Sequence, residues 1–229
     1  MAIPAGMTYV PEALFNVCKS LKHVTIPESV VTIERGAFSQ CESLTGVVLP
    51  AGLKSIGQYA FSHCASILEL TLPQGLETIG MDAIAYCTGL TEITVPDSVT
   101  DLGAYAFFRC EGLESVKLSA SITEIQNNTF TFCKSLKSIT IPSGVTTIGT
   151  TAFGYCTSLA SVEIPASVTT LKSTVFDQCP SLATVVVPDT VTTMVEYVFG
   201  YAKNTVVLCT EGSVAHKWCK SYHQPFELI

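Results

Sequence analysis

Eight cysteines stand at Cys18, Cys41, Cys64, Cys87, Cys110, Cys133, Cys156 and Cys179, so each of the seven intervals between them is 23 residues. A fixed period of this kind marks a solenoid, in which each unit is one short supersecondary turn that buries its apolar face only by stacking on its neighbours. Set in register from Cys133, the unit reads Cys-Lys-Ser-Leu-Lys-Ser-Ile-Thr-Ile-Pro-Ser-Gly-Val-Thr-Thr-Ile-Gly-Thr-Thr-Ala-Phe-Gly-Tyr, and seven other units follow it. Leucine holds the fourth position everywhere except at Ile67. Aliphatic residues hold the seventh, ninth, thirteenth and sixteenth, with Met194 as the one unbranched substitute. The twenty-first is Phe38, Phe61, Phe107, Phe130, Phe153, Phe176 or Phe199, with Ile84 in its place once.

The local structure follows from this pattern. Positions seven and nine alternate with polar neighbours, as in Ile139-Thr140-Ile141, and a period of two is the signature of a half-buried strand. Proline follows in seven units and Ser119 in the eighth; a residue without an N–H ends the strand and turns the chain. The Val-x-x-Ile-Gly segment then returns along the opposite side, and Ala-Phe forms a single helical or 3₁₀ turn before the next Cys. The strands stack as one parallel sheet with about 4.8 Å between units, which gives eight repeats a length of about 40 Å.

The expected organisation is a single domain over 1–229: a half repeat or cap at 1–17, eight repeats over 18–201, and a strand-helix cap at 202–229. In the last of these, Thr205-Val206-Val207-Leu208 reads as a strand, about Ser213 to Tyr222 as a helix, and Pro225 to Ile229 as the closing segment.

Composition excludes several classes of function. A net charge of −7, with 12 Lys+Arg against 19 Asp+Glu, is the opposite of what nucleic acid or an anionic membrane surface requires. No apolar run approaches the roughly 18 residues of a membrane helix. Met1-Ala2-Ile3-Pro4-Ala5-Gly6 has no basic n-region followed by an apolar segment, so the expectation is an intracellular chain or one whose secretory signal has been removed.

The unit resembles the BspA-like leucine-rich repeat, whose pattern is close to Cys-x-x-Leu-x-x-Ile-x-Ile-Pro-x-x-Val-x-x-Ile-Gly-x-x-Ala-Phe, and the resemblance spans positions 3 to 201. Glu211-Gly212-Ser213-Val214-Ala215-His216-Lys217-Trp218-Cys219 is similar to the closing segment Gly-Ser-x-Ala-x-x-Tyr-Ala of that family, with Trp218 and Cys219 in place of its Tyr and Ala. The resemblance implies a leucine-rich-repeat solenoid: a curved right-handed superhelix with one parallel sheet on its concave face and short strand or 3₁₀ turns on the convex face. It also implies an extracellular or cell-surface protein of the kind that adheres to host or neighbouring-cell proteins. The ligand is not implied, because the motif residues are the core residues.

Reactive groups are numerous but badly placed for chemistry. Stacked cysteine side chains all point the same way, whereas zinc needs converging ligands and a disulfide needs a particular dihedral. The column is therefore read as buried free thiols. Cys209, His216, Cys219 and His223 form Cys-x6-His-x2-Cys-x3-His; packing in the cap is the leading reading, zinc or a Cys209–Cys219 disulfide the alternative. The four histidines accompany no nucleophile, phosphate-loop or metalloprotease motif, so no enzyme and no cofactor is expected. Glu69 and Glu92 share a strand position in adjacent repeats and could imitate an acid pair at about 5 Å, but they read as solvated side chains.

The exterior that remains is a binding surface. Positions six and eight face outward on the sheet and carry His23, Glu69, Glu92, Lys117 and Glu163 among small polar residues. The residue before each Cys forms a rim row with His63, Tyr86, Arg109, Phe132, Tyr155, Gln178 and Tyr201, and Tyr, Phe and Arg are the side chains that dominate interface energetics. The competing reading is that these rings only cover the Phe column. Asn127-Asn128-Thr129 is a glycosylation sequon, relevant if a eukaryote secretes the chain. The expectation is a non-catalytic recognition or adhesion module that binds a protein ligand as a monomer, or else a structural spacer within a larger surface protein.

Overall fold

Two strand columns arise in each coil because two stretches of the unit alternate or extend. The computed structural model describes residues 3–229 of the chain. Positions six to eight form three-residue strands, at His23–Thr25, Gly46–Val48, Glu92–Thr94, Ser115–Lys117, Ser138–Thr140, Ser161–Glu163 and Thr184–Val186, each exposed, buried and exposed in turn. Positions fifteen and sixteen form a second column of two-residue strands, such as Thr147–Ile148 and Thr170–Leu171. Every pairing is parallel, and within the repeats partners are offset by one period, as in Ile139 with Val162 and Ile148 with Leu171.

The expected single sheet is present as interrupted stretches. The first column is divided into sheets of two, two and five strands, and the second into five and four. Strands this short make few ladder bonds, so a small local displacement removes the pairing while the core columns continue. Glu69–Thr71, after the anomalous Ile67, forms no strand. The second column breaks between Asp101–Leu102 and Glu124–Ile125, beside Ser119, the residue that replaces the strand-ending proline. There the Ser119 hydroxyl donates to the Val99 carbonyl at 2.6 Å, and the Ala120 N–H donates to Asp97 at 2.9 Å. Side-chain bonds of this kind compete with the backbone ladder.

The third side of each coil is more unusual than a helical turn. The expected 3₁₀-type bonds occur one at a time, as in Ala152 N–H to Gly149 O at 3.2 Å and Gly154 N–H to Thr151 O at 3.0 Å. Between them, Thr151, Phe153 and Tyr155 donate instead to Ser173, Val175 and Asp177 of the next coil at 3.0, 2.9 and 2.7 Å. Alternate N–H groups can point out of the coil because the nineteenth and twenty-third residues are left-handed, for example Thr151 at φ 54° and Tyr155 at φ 59°. For residues other than glycine that conformation costs roughly 1–2 kcal/mol each, which the inter-coil bonds offset.

The interior is a set of columns. Phe15, Phe38 and Phe61 stack at 5.3 and 5.2 Å, and Phe107, Phe130, Phe153, Phe176 and Phe199 at 5.5 to 5.6 Å, with Ile84 between the two series. At the C-terminal end Trp218 meets Phe199 edge-on at 5.9 Å, and its indole N–H donates to the Val195 carbonyl at 3.0 Å. Trp218 lies on the helix Val214–Tyr222, whose N-cap Ser213 accepts from the His216 N–H at 3.1 Å and whose C-cap His223 is left-handed. Val206–Cys209 and Phe226–Leu228 extend the first column beyond the repeats. At the other end Ile3 donates to Thr25 O and Tyr9–Val10 pairs with Thr32–Ile33; the first two residues of the expected half repeat lie outside the described residues.

Candidate interaction surfaces

The cysteine column is turned inward. Each thiol from Cys41 to Cys179 donates to the carbonyl 26 residues earlier, as in Cys133 to Phe107 O at 3.2 Å and Cys156 to Phe130 O at 3.1 Å. Burial disfavours the thiolate, which pushes Cys110 and Cys179 up to about 12 and holds Cys87, Cys133 and Cys156 well above the ordinary 9.0. At neutral pH these five thiols are therefore held in the protonated, non-nucleophilic form. Of the ten cysteines, half-buried Cys18 is the one accessible to a maleimide in the native state. Mass spectrometry after labelling is expected to show one modification natively and ten after denaturation; rapid native labelling of Cys133 would contradict the buried column.

Among the described residues, no group of three or more His, Cys, Asp or Glu side chains could hold a metal ion. In the cap, His216 is buried against Phe226, and its Nδ1 accepts from the Gly212 N–H at 2.9 Å. His223 faces solvent at the helix end, away from buried Cys209 and Cys219.

On the sheet, His23, Glu69, Glu92, Lys117 and Glu163 are all exposed. Three of them come together. Glu69, Glu92 and Lys117 line a trough of about 420 Å³ whose floor includes Leu70, Ile93 and Val116. A second depression of about 620 Å³ adjoins it at Thr71 and Gln74 and reaches Val48, which is 80% exposed. His23 and Glu163 lie outside both.

The rim row condenses into a ridge. His63 stacks on Tyr86 at 3.9 Å, and Phe132 on Tyr155 at 4.4 Å. Arg109 bridges the two pairs, with its guanidinium 4.3 Å from the Phe132 ring centre and 5.9 Å from that of Tyr86. Tyr201 is not part of this ridge: Gln178 separates it from Tyr155, and it stands 72% exposed beside Lys203. Sequence reasoning passed over Phe108, which contacts Tyr86 at 5.4 Å, Tyr105 at 5.5 Å and Phe132 at 5.9 Å, and lies 5.8 Å from Arg109. A signal was available, since the other repeats carry Ser, Ala, Thr, Gly or Asp at the twenty-second position.

The array is similar to known proteins of one kind. The family model described as BspA type leucine rich repeat region, in six copies, matches residues 1–114 and 77–206. A leucine rich cell surface protein from Faecalibacterium prausnitzii is 32% identical; the match covers 80% of this chain and 58% of that one, with a TM-score of 0.56. A leucine-rich repeat protein of T. pallidum is 29% identical over 69% of this chain and 76% of that one, with a TM-score of 0.64. A leucine-rich repeat protein from Bacteroides ovatus shares the fold at 21% identity over 97% of this chain and 87% of that one, again at 0.64. No curated protein sequence matches the chain. Repeat arrays of this family and fold are in general non-enzymatic, and no helix among the described residues is long and apolar enough to cross a membrane. Eight coils in one register, one column of phenylalanines and these matches agree: the chain belongs to the BspA type leucine-rich repeat family.

Proposed function

We propose that the chain is a non-catalytic recognition module of a cell-surface protein, acting as a monomer and binding a protein partner through its sheet face and the ridge around Arg109. The observation that carries this reading is the ridge itself. Tyr86, Arg109, Phe132 and Tyr155 form a continuous half-exposed row, and rigid aromatics with an arginine are the usual anchors of a protein interface. Each stacked pair covers one face of its rings, and the Arg109 guanidinium lies over Phe132. The likeness to a leucine rich cell surface protein supports the location.

Beads coated with the chain are expected to adhere to cells, and protease treatment of those cells should abolish adhesion. Alanine at Tyr86, Arg109, Phe132 and Tyr155 together should cut adhesion at least about tenfold, since each anchor contributes on the order of 1–2 kcal/mol. Unchanged adhesion in the quadruple variant would reject the ridge, and no adhesion by the native chain would reject recognition in favour of a spacer.

A further inference from the structure

We propose that the trough at Glu69, Glu92 and Lys117 seats an extended segment of the protein partner that carries a basic side chain followed, about three to four residues on, by an acidic one. The inference rests on the protein-recognition reading and names where and how the partner is held. Elsewhere on the surface several neighbouring coils exchange charges: Lys54 meets Glu77 at 2.9 Å and Lys137 meets Glu114 at 2.6 Å, each across one period of 23 residues. In the trough the same arrangement is missing. Glu69 and Glu92 occupy one repeat position in adjacent coils and line the same trough. Neither they nor Lys117 belongs to any ion pair among the described residues. Like charges side by side on a sheet are unfavourable, and a cation laid between them removes that cost.

The floor suits the rest of such a cation. Leu70, Ile93 and Val116 are core side chains that show a margin of surface at the bottom of the trough. The methylene stem of lysine or arginine rests on apolar surface of this kind while its charged head reaches a carboxylate. Lys117 stands two coils from Glu69 and two residues further along the strand, since its partner in the neighbouring coil is Thr94 and not Glu92; about 10 Å across the coils and about 7 Å along them place it about 12 Å away. An extended chain covers that distance in about three to four residues, which sets the separation of the basic and acidic side chains. The trough also lies where Glu69–Thr71 has dropped out of the strand column, so its shape is particular to these coils.

The test is selection of a displayed library of random peptides on the intact chain. Sequences with Lys or Arg followed two to four residues later by Asp or Glu should be enriched, and their affinity should fall as salt screens the charges. The same peptides should bind at least about tenfold more weakly to Glu69→Gln/Glu92→Gln, a double variant of exposed side chains whose melting curve should match that of the native chain. Glu69→Lys/Glu92→Lys should reverse the selection toward acidic peptides. Enriched peptides that bind the Gln variant as tightly as the native chain, but lose affinity on the ridge variant, would overturn the trough and leave protein recognition standing. No enrichment on the native chain would overturn both.

Discussion

Phe130→Ala is expected to destabilise the chain by about 3–5 kcal/mol, the cost of removing a fully buried ring that cannot be replaced by collapse of its surroundings. The surroundings are rigid for a specific reason. Phe130 is stacked on Phe107 and Phe153 at 5.5 Å on both sides, and its carbonyl accepts the Cys156 thiol while its N–H donates to Ala152 O at 2.9 Å. In a one-dimensional array each coil is coupled only to its neighbours, so a defect here weakens the coupling between the N-terminal and C-terminal halves. Urea denaturation of the variant should therefore show a lower midpoint and a broadened or two-step transition. A cost below about 1 kcal/mol with a single sharp transition would mean that the phenylalanine column does not carry the stack.

The second large effect is on the alkaline side. Burial holds Cys64, Cys87, Cys110, Cys133, Cys156 and Cys179 above the ordinary thiol value, with Cys110 and Cys179 at about 12. An acid whose folded value is raised contributes stability that is complete below its unfolded value and is lost as pH climbs toward the folded one, because the unfolded chain releases the proton first. The window therefore opens near 9.0 and extends toward 12. Each such thiol loses about 1.4 kcal/mol per pH unit inside it. Summed over several such thiols, the loss becomes a large part of the stability of an ordinary domain by about pH 10. Circular dichroism should report cooperative unfolding near that pH, with thiolate absorbance appearing in the same transition. Thiolates forming near pH 9 while the dichroism stays unchanged would show that the column is open to water.

Much of the fold was legible in the sequence because the constraint is repeated. One coil with aliphatic residues at positions seven, nine, thirteen and sixteen could be read several ways, but eight coils in register admit only stacked columns. Stacking in turn dictates that positions six and eight face outward, as Glu92 and Thr94 do. What was not legible depends on small displacements or on conformations that side chains do not announce. The left-handed residues at positions nineteen and twenty-three include Asp82, Tyr86, Asn128 and Phe132, with Gly36 the lone glycine among them, so the residue types gave no sign of the alternating hydrogen bonds. The gap at Glu69–Thr71 follows Ile67, a conservative exchange for leucine that stays fully buried, and the trough it accompanies could not be read from a column of exposed side chains. The row that includes Tyr86, Arg109 and Phe132 was visible from register alone. The place of Phe108 within it, and the isolation of Tyr201, required the packing of rings.

Equivalent coils that stack are interchangeable. Excision of residues 134–156 joins Cys133 to Thr157 and keeps the pattern Cys-x-x-Leu intact across the junction. Thermal unfolding of that shortened chain, followed by circular dichroism, is predicted to remain cooperative, with a midpoint somewhat below that of the parent and a solenoid shorter by about 4.8 Å. A chain that is unfolded after losing one whole period would contradict the stacking of equivalent coils.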